Sequence, residues 1–113
     1  MNGMIFGQGY DPTSKKPSFV HITGSTATYV GVINISGSGV LYQFAQTNTT
    51  DIDLFIKIII DGVTVFDAKT RTAYYGNALV ARILNTRFNS SLVIQHKGSA
   101  TGNITTEVIY ALD

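Results

Sequence analysis

The chain has no cysteine, no tryptophan, one glutamate and two prolines, and only 13% of its 113 residues are charged. Without cysteine there is no disulfide framework, no thiolate metal site and no thiol nucleophile. That fits assembly in a reducing cytoplasm. With Glu107 as the sole glutamate, paired-carboxylate catalysis needs two aspartates, or Glu107 with one of them. No apolar run approaches the length of a membrane span. No signal peptide is expected, because the basic residues of the first segment follow its apolar ones. The net charge is +1, and the adjacent Lys15 and Lys16 stand alone, so the basic stripe of a nucleic-acid binder is missing.

What takes the place of charge is neutral polarity: 14 Thr, 8 Ser and 7 Asn beside a hydrophobic fraction of 44%. Ordinary domains carry about 25% charged residues. A surface with few ions costs little to desolvate, which suits contacts between subunits. An ordinary threonine-rich β-protein surface has the same composition. The four sequons, at Asn34, Asn48, Asn89 and Asn103, read as chance products of that composition.

Along the chain, residues 1–17 read as an irregular N-terminal arm, loosened by Gly3, Gly7 and Gly9 and broken by Pro12 and Pro17. Its apolar Met4, Ile5, Phe6 and Tyr10 predict that it docks on the domain or on a neighbouring subunit. Residues 18–113 read as one domain of β-strands. Ser18 to Thr23 is a short strand, with a turn at Gly24-Ser25. Ala27 to Ile35 follows, with Tyr29, Gly31, Ile33 and Ile35 on a core face and Gly31 as the place for a bulge. After Ser36-Gly37-Ser38-Gly39 comes a strand with Val40, Tyr42 and Phe44 on one face, then a polar loop, QTNTTD. Leu54–Ile60, Asp61-Gly62 and Val63–Phe66 form the clearest element, a β-hairpin closed by a two-residue type I′ turn. Asp67 to Asn77 reads as turn. The segment 78–84, ALVARIL, is either two helical turns capped by Asn77 or a strand, and strand is the expectation. Phe88–His96 and Asn103–Leu112 complete about eight strands, with a small-residue turn at Gly98–Gly102. Eight short strands in this length predict an all-β fold, a two-sheet antiparallel β-sandwich of jelly-roll type. An immunoglobulin-like sandwich is the nearest alternative, without the Trp and Cys that would support it.

Catalytic and metal-binding groups are sparse. His21 and His96 both fall in predicted strands, and zinc needs a third ligand near both. Asp51 and Asp53 have Asp-x-Asp spacing, but their loop lacks the closing glutamate of a calcium site. Gly37-Ser38-Gly39 sits between strands, without the helix that makes such a loop bind phosphate. No catalytic, metal or cofactor residue is therefore assigned. The candidate contact residues are of two kinds. Phe55, Ile59 and Val93 are apolar on the outer side of strands whose other side is also apolar, as expected where another subunit packs. Arg71, Tyr74 and Tyr75 form an aromatic and polar loop of the sort that meets proteins or sugars.

Three segments, SGSGVLYQF, IKIIIDGVTVF, and the pair RFNSSLVIQH with the terminal VIYALD, resemble small structural proteins of tailed bacteriophages, such as head-decoration, head-fibre and tail-associated domains. The resemblance covers roughly residues 30 to 113 and rests on Gly37, Gly39, Asp61, Gly62, Phe88, Ser91 and Leu92, which are turn and core positions. It implies a β-sandwich that trimerises on a capsid or tail, located in the virion, with capsid or tail proteins as partners and no cofactor, nucleic acid or membrane. The arm has no counterpart in it. A carbohydrate- or receptor-binding module, or a small inhibitor of a host protein, is the competing reading.

Overall fold

Asp61 and Gly62 both take positive φ angles, 53° and 81°. That is the backbone of a type I′ turn, whose twist matches the right-handed twist of the strands it joins. The computed structural model describes the main chain of residues 18–25, 27–48, 52–71 and 78–113, and the side chains of these except 18–25, 71, 78 and 79. The strands are β1 (Ser18–Ser25), β2 (Val30–Ser36), β3 (Gly39–Asn48), β4 (Leu54–Ile60), β5 (Val63–Arg71), β6 (Ala78–Phe88), β7 (Ser91–Gly98) and β8 (Gly102–Leu112). They form two four-stranded sheets, ordered β1-β8-β3-β6 and β2-β7-β4-β5, with every pair antiparallel. Apart from the β4–β5 hairpin, neighbouring strands come from distant parts of the chain. This is the crossed-over connectivity of a jelly roll. The segment 78–84 is strand, while the arm, residues 1–17, lies outside the described residues.

The core lies between the sheets and is built by alternation. In β4, Leu54, Ile56 and Ile58 are buried, and in β7 Leu92, Ile94 and His96. Leu41 and Phe44 of β3, Phe88 of β6 and Val108 of β8 meet them from the other sheet. Burying a side chain of this size contributes about 1.5–3 kcal/mol. A second cluster of Ile52, Leu54 and Ile104 closes the end of the sandwich near the β3–β4 and β7–β8 connections.

Alternation is interrupted where one strand holds an extra residue. The β2–β7 register shifts between Gly31 and Ile33, so Val32 and Ile33 are both buried and everything before them changes face. The bulge expected at Gly31 is there, but Tyr29 consequently lies outside the core. In β3 the register to both neighbours shifts between Leu41 and Gln43. Leu41 and Phe44 therefore point inward while Tyr42 does not. The opposing shift on β6 is made with Asn85 at a positive φ of 47°.

Four local readings change. Gly24 and Ser25 continue β1 and mark an irregular register rather than a turn. Phe88 ends β6, and β7 begins at Ser91. Asp67 lies within β5, paired with Lys57. Gln46, Thr47 and Asn48 belong to β3, not to a loop. Gln46 is fully buried because its amide is satisfied across the sandwich: Nε2 donates to the Phe55 carbonyl and to Thr106 Oγ1, each at 3.2 Å, and Oε1 accepts from Thr70 Oγ1 at 2.7 Å. A buried amide with such partners adds specificity to the packing of two sheets. An unpartnered one would cost about 1–3 kcal/mol.

At the other end the turns are tied by one carboxylate. Asp61 accepts from the backbone N–H groups of Asn89, Ser90 and Ser91 at 2.9, 2.6 and 3.1 Å. Its own N–H donates to the Ser91 carbonyl, and that of Gly37 to the Ser90 carbonyl. The turns β2–β3, β4–β5 and β6–β7 thus form one hydrogen-bonded group. These N–H donors, foremost that of Ser90, hold the Asp61 carboxyl below the ordinary carboxylate range. Its stabilising contribution is then complete above about pH 4 and is lost as the pH falls through the depressed native value. Asp61→Asn removes the charge but keeps a residue tolerant of the left-handed region. The variant is expected to melt below the unaltered chain near neutral pH, with the gap narrowing as the pH falls below about 4. Thermal melts across that range check this, and a gap independent of pH would contradict it.

Gly39 makes the second local demand. A Cβ there would fall inside the Ala111 carbonyl oxygen, 2.9 Å from the Phe88 ring and 3.0 Å from the Leu112 Cα. The glycine marks a close approach of β3 to β8 and β6 as well as the end of a turn. Gly39→Ala is expected to lose at least about 1–3 kcal/mol in urea unfolding. A loss within the error of the melt would show that these strands separate at no cost.

Candidate functional site

Alternation on β4 and β7 places Phe55, Lys57 and Ile59, and Ser91, Val93, Gln95 and Lys97, on the outer face of their sheet. All seven are partly exposed. Cross-strand register sets their neighbours. Ile59 faces Val93, Lys57 faces Gln95, and Phe55 faces Lys97. On the next strand, β5, Thr64, Asp67 and Lys69 stand opposite Ile59, Lys57 and Phe55. The three apolar residues expected on this face do share it. Lys57 separates Phe55 from Ile59, so they form two small apolar spots rather than one. Ile59 and Val93 make a direct cross-strand pair, the arrangement in which apolar side chains support each other best.

The Phe55 end is organised by Tyr29. The β2 bulge turns this side chain outward, and its hydroxyl donates to Asp67 Oδ1 at 2.6 Å. Lys57 Nζ and Lys97 Nζ lie 4.6 and 4.7 Å from the Tyr29 ring centre, and Lys97 is 4.9 Å from that of Phe55. Such cation–ring contacts hold the ammonium groups in place at a partly dried surface. Lys57 also approaches Asp67 Oδ2 at 3.9 Å, and Lys69 approaches Asp53 at 3.6 Å. Burial, then the hydrogen bond to Asp67 and its negative charge, push the Tyr29 hydroxyl well above its ordinary pKa. It stays a hydrogen-bond donor at any physiological pH. The Tyr29 end of the face is thus occupied by its own polar and aromatic contacts, and the Ile59–Val93 end is left half-exposed.

Sequence patterning does not single out Tyr29, Asp67 or Lys97 as contact residues. Gly31 is the available signal, since a bulge there reverses the face of the residue two before it. Of the second candidate group, Tyr74 and Tyr75 lie outside the described residues, as does the Arg71 side chain, and so does Asp51 of the Asp-x-Asp pair. His96 is fully buried, its Nδ1 hydrogen-bonded to Thr106 Oγ1 at 2.6 Å. It belongs to the same internal polar group as Gln46. Among the described residues no three His, Cys, Asp or Glu side chains cluster as a metal site would require. No described helix is long and apolar enough to cross a membrane.

No protein-family model matches the sequence, and neither does any curated protein. Solved structures do match in fold. A crystal structure of PirA superposes with a TM-score of 0.52 at 9% identity, covering 87% of this chain and 98% of that one. The cyanophage Pam1 capsid gives a TM-score of 0.45 at 19% identity, over 87% of this chain and 84% of that one. A Bacillus endospore appendage protein gives 0.42 at 17% identity, over 88% and 92%. At these identities the likeness is one of fold alone, and the strand order itself makes the chain a two-sheet, jelly-roll β-sandwich.

Proposed function

We propose that the chain is a non-enzymatic structural subunit of a bacteriophage particle, a capsid decoration or a tail component, that works as a homo-oligomer, with three copies favoured. It would assemble in the host cytoplasm and reside in the virion, with capsid or tail proteins as partners, and without cofactor, nucleic acid or membrane. The observation that carries this reading is the partly exposed Ile59–Val93 pair on the inner strands of an outer sheet face. Ile59 and Val93 belong to the two inner strands of their sheet, each with a hydrogen-bonded strand on both sides. Together with a charged fraction of 13%, such a face is inexpensive to bury against another copy. The resemblance of residues 30–113 to phage structural proteins supports the same reading, as does a fold whose only described histidine side chain is locked in the core.

Light scattering on a size-exclusion column tests it. The expected mass is three times the 12.2 kDa of one chain. Ile59→Lys with Val93→Lys places like charges across the β4–β7 pair and is expected to yield a folded monomer with an unchanged far-ultraviolet spectrum. A clean monomer of the unaltered chain at high concentration would count against the oligomeric reading.

A further inference from the structure

On one side of the sandwich β1 and β2 bring the two sheets close together. On the opposite side β5 is the last strand of one sheet and β6 the last of the other. An apolar cleft of about 270 Å³ opens there. The buried side chains of Leu41, Phe44 and Ile58 line its inner part, and Ile60, Phe66 and Leu84 line the rest. A dry cavity of about 150 Å³ with walls of this kind holds a benzene ring, so this cleft takes an aliphatic chain of about eight to ten carbons. It falls just below the roughly 300–1,000 Å³ of sites for larger ligands.

One charged side chain breaks the apolar lining. Along β6, Val80, Leu84 and Phe88 pack into the two core clusters, and alternation puts Arg82 and Thr86 in the same inward row. Arg82 stands in register with the buried Phe44 and is itself exposed beside the cleft. Ion pairs among the described residues join Lys57 to Asp67, Lys69 to Asp53 and Arg87 to Asp113, so no described carboxylate balances Arg82. The Thr86 hydroxyl donates to the Leu84 carbonyl at 3.1 Å, which leaves Arg82 as the donor for an entering group. A guanidinium offers a planar pair of N–H donors that matches a carboxylate. An inward charge on an edge strand also discourages edge-to-edge pairing. That role alone does not require an apolar cleft beside it.

We infer that the cleft between β5 and β6 binds a medium-chain aliphatic carboxylate, a fatty acid of about eight to ten carbons. Its chain lies against Leu41, Phe44, Ile58 and Leu84, and its single negative charge meets Arg82. The ligand also covers apolar surface of the edge strand β5, where Val65 is 55% and Phe66 38% accessible. This site goes beyond the structural role proposed above and does not depend on it.

Titration of the isotope-labelled full chain with octanoate, 1-octanol and butanoate near neutral pH tests the inference, read from methyl signals. Octanoate is expected to move the Ile58, Ile60, Val65 and Leu84 methyls along one saturable, one-to-one curve while those of Ile59 and Val93 stay in place. Butanoate should bind at least about tenfold more weakly, because it buries fewer methylenes. Arg82→Gln should weaken octanoate by about fivefold to tenfold and leave 1-octanol binding unchanged. The amide spectrum of the variant reports that the sheets are intact. No saturable movement of the cleft methyls by about 10 mM octanoate would overturn the inference. So would octanoate binding that Arg82→Gln leaves unchanged, which would give Arg82 the edge-guarding role alone. Contacts to the cleft methyls from a second copy in a mixed-label sample, persisting at saturating octanoate, would hand the cleft to that copy and overturn it as well.

Discussion

An extra residue in one strand of an antiparallel pair reverses the face of every residue beyond it, and two such insertions decide what this molecule hides and shows. At Val32 the reversal puts two consecutive β-branched side chains in the core and turns Tyr29 outward. At Tyr42 it leaves Phe44 inward and brings in Leu41 in place of Val40 and Tyr42. The inner strands β3, β4, β7 and β8 then each present buried residues to the facing sheet. The Tyr29 hydrogen bond to Asp67 and the two lysines on its ring follow from the first of these insertions.

The ends and sides of the sandwich are treated differently. One end is stitched by the Asp61 carboxylate, which gathers three turns through main-chain N–H groups. The other is closed by Ile52, Leu54 and Ile104, with Asp53 and Ser99 exchanging backbone and side-chain hydrogen bonds beside them. The middle is pinned by Gln46, Thr106, His96 and Thr70, which join strands of both sheets. What stays open is the side between β5 and β6.

Much of this is legible in the amino-acid sequence. The Asp61-Gly62 hairpin, the strand count, the sandwich and the shared face of Phe55, Ile59 and Val93 all follow from local turn chemistry and period-two patterning. These signals act over a few residues. The Gly31 bulge is visible too, yet its consequence for Tyr29 is not, because which neighbour becomes the extra residue depends on pairing with β7. Gln46 and Asp67 are polar, and by their own neighbours they read as loop and turn. Their partners, Thr106, Phe55, Thr70 and Tyr29, are brought near only by the sheets, so no window of sequence contains the reason they sit in strands. The separation of Phe55 from Ile59 by Lys57 is plain in the sequence, but its weight depends on Tyr29 lying over that lysine.

A β-sandwich with its one described histidine side chain buried, few charges and a partly exposed apolar pair on the inner strands of a sheet is suited to being built into something larger. The central claim is that this larger object is a virus particle. It is tested most directly by quantitative mass spectrometry of density-gradient fractions from lysed cultures of the cells that express the gene. The account predicts peptides of this chain in the particle fraction, at a constant ratio to the major shell protein through successive purifications. Peptides abundant in the soluble fraction and missing from purified particles would contradict it.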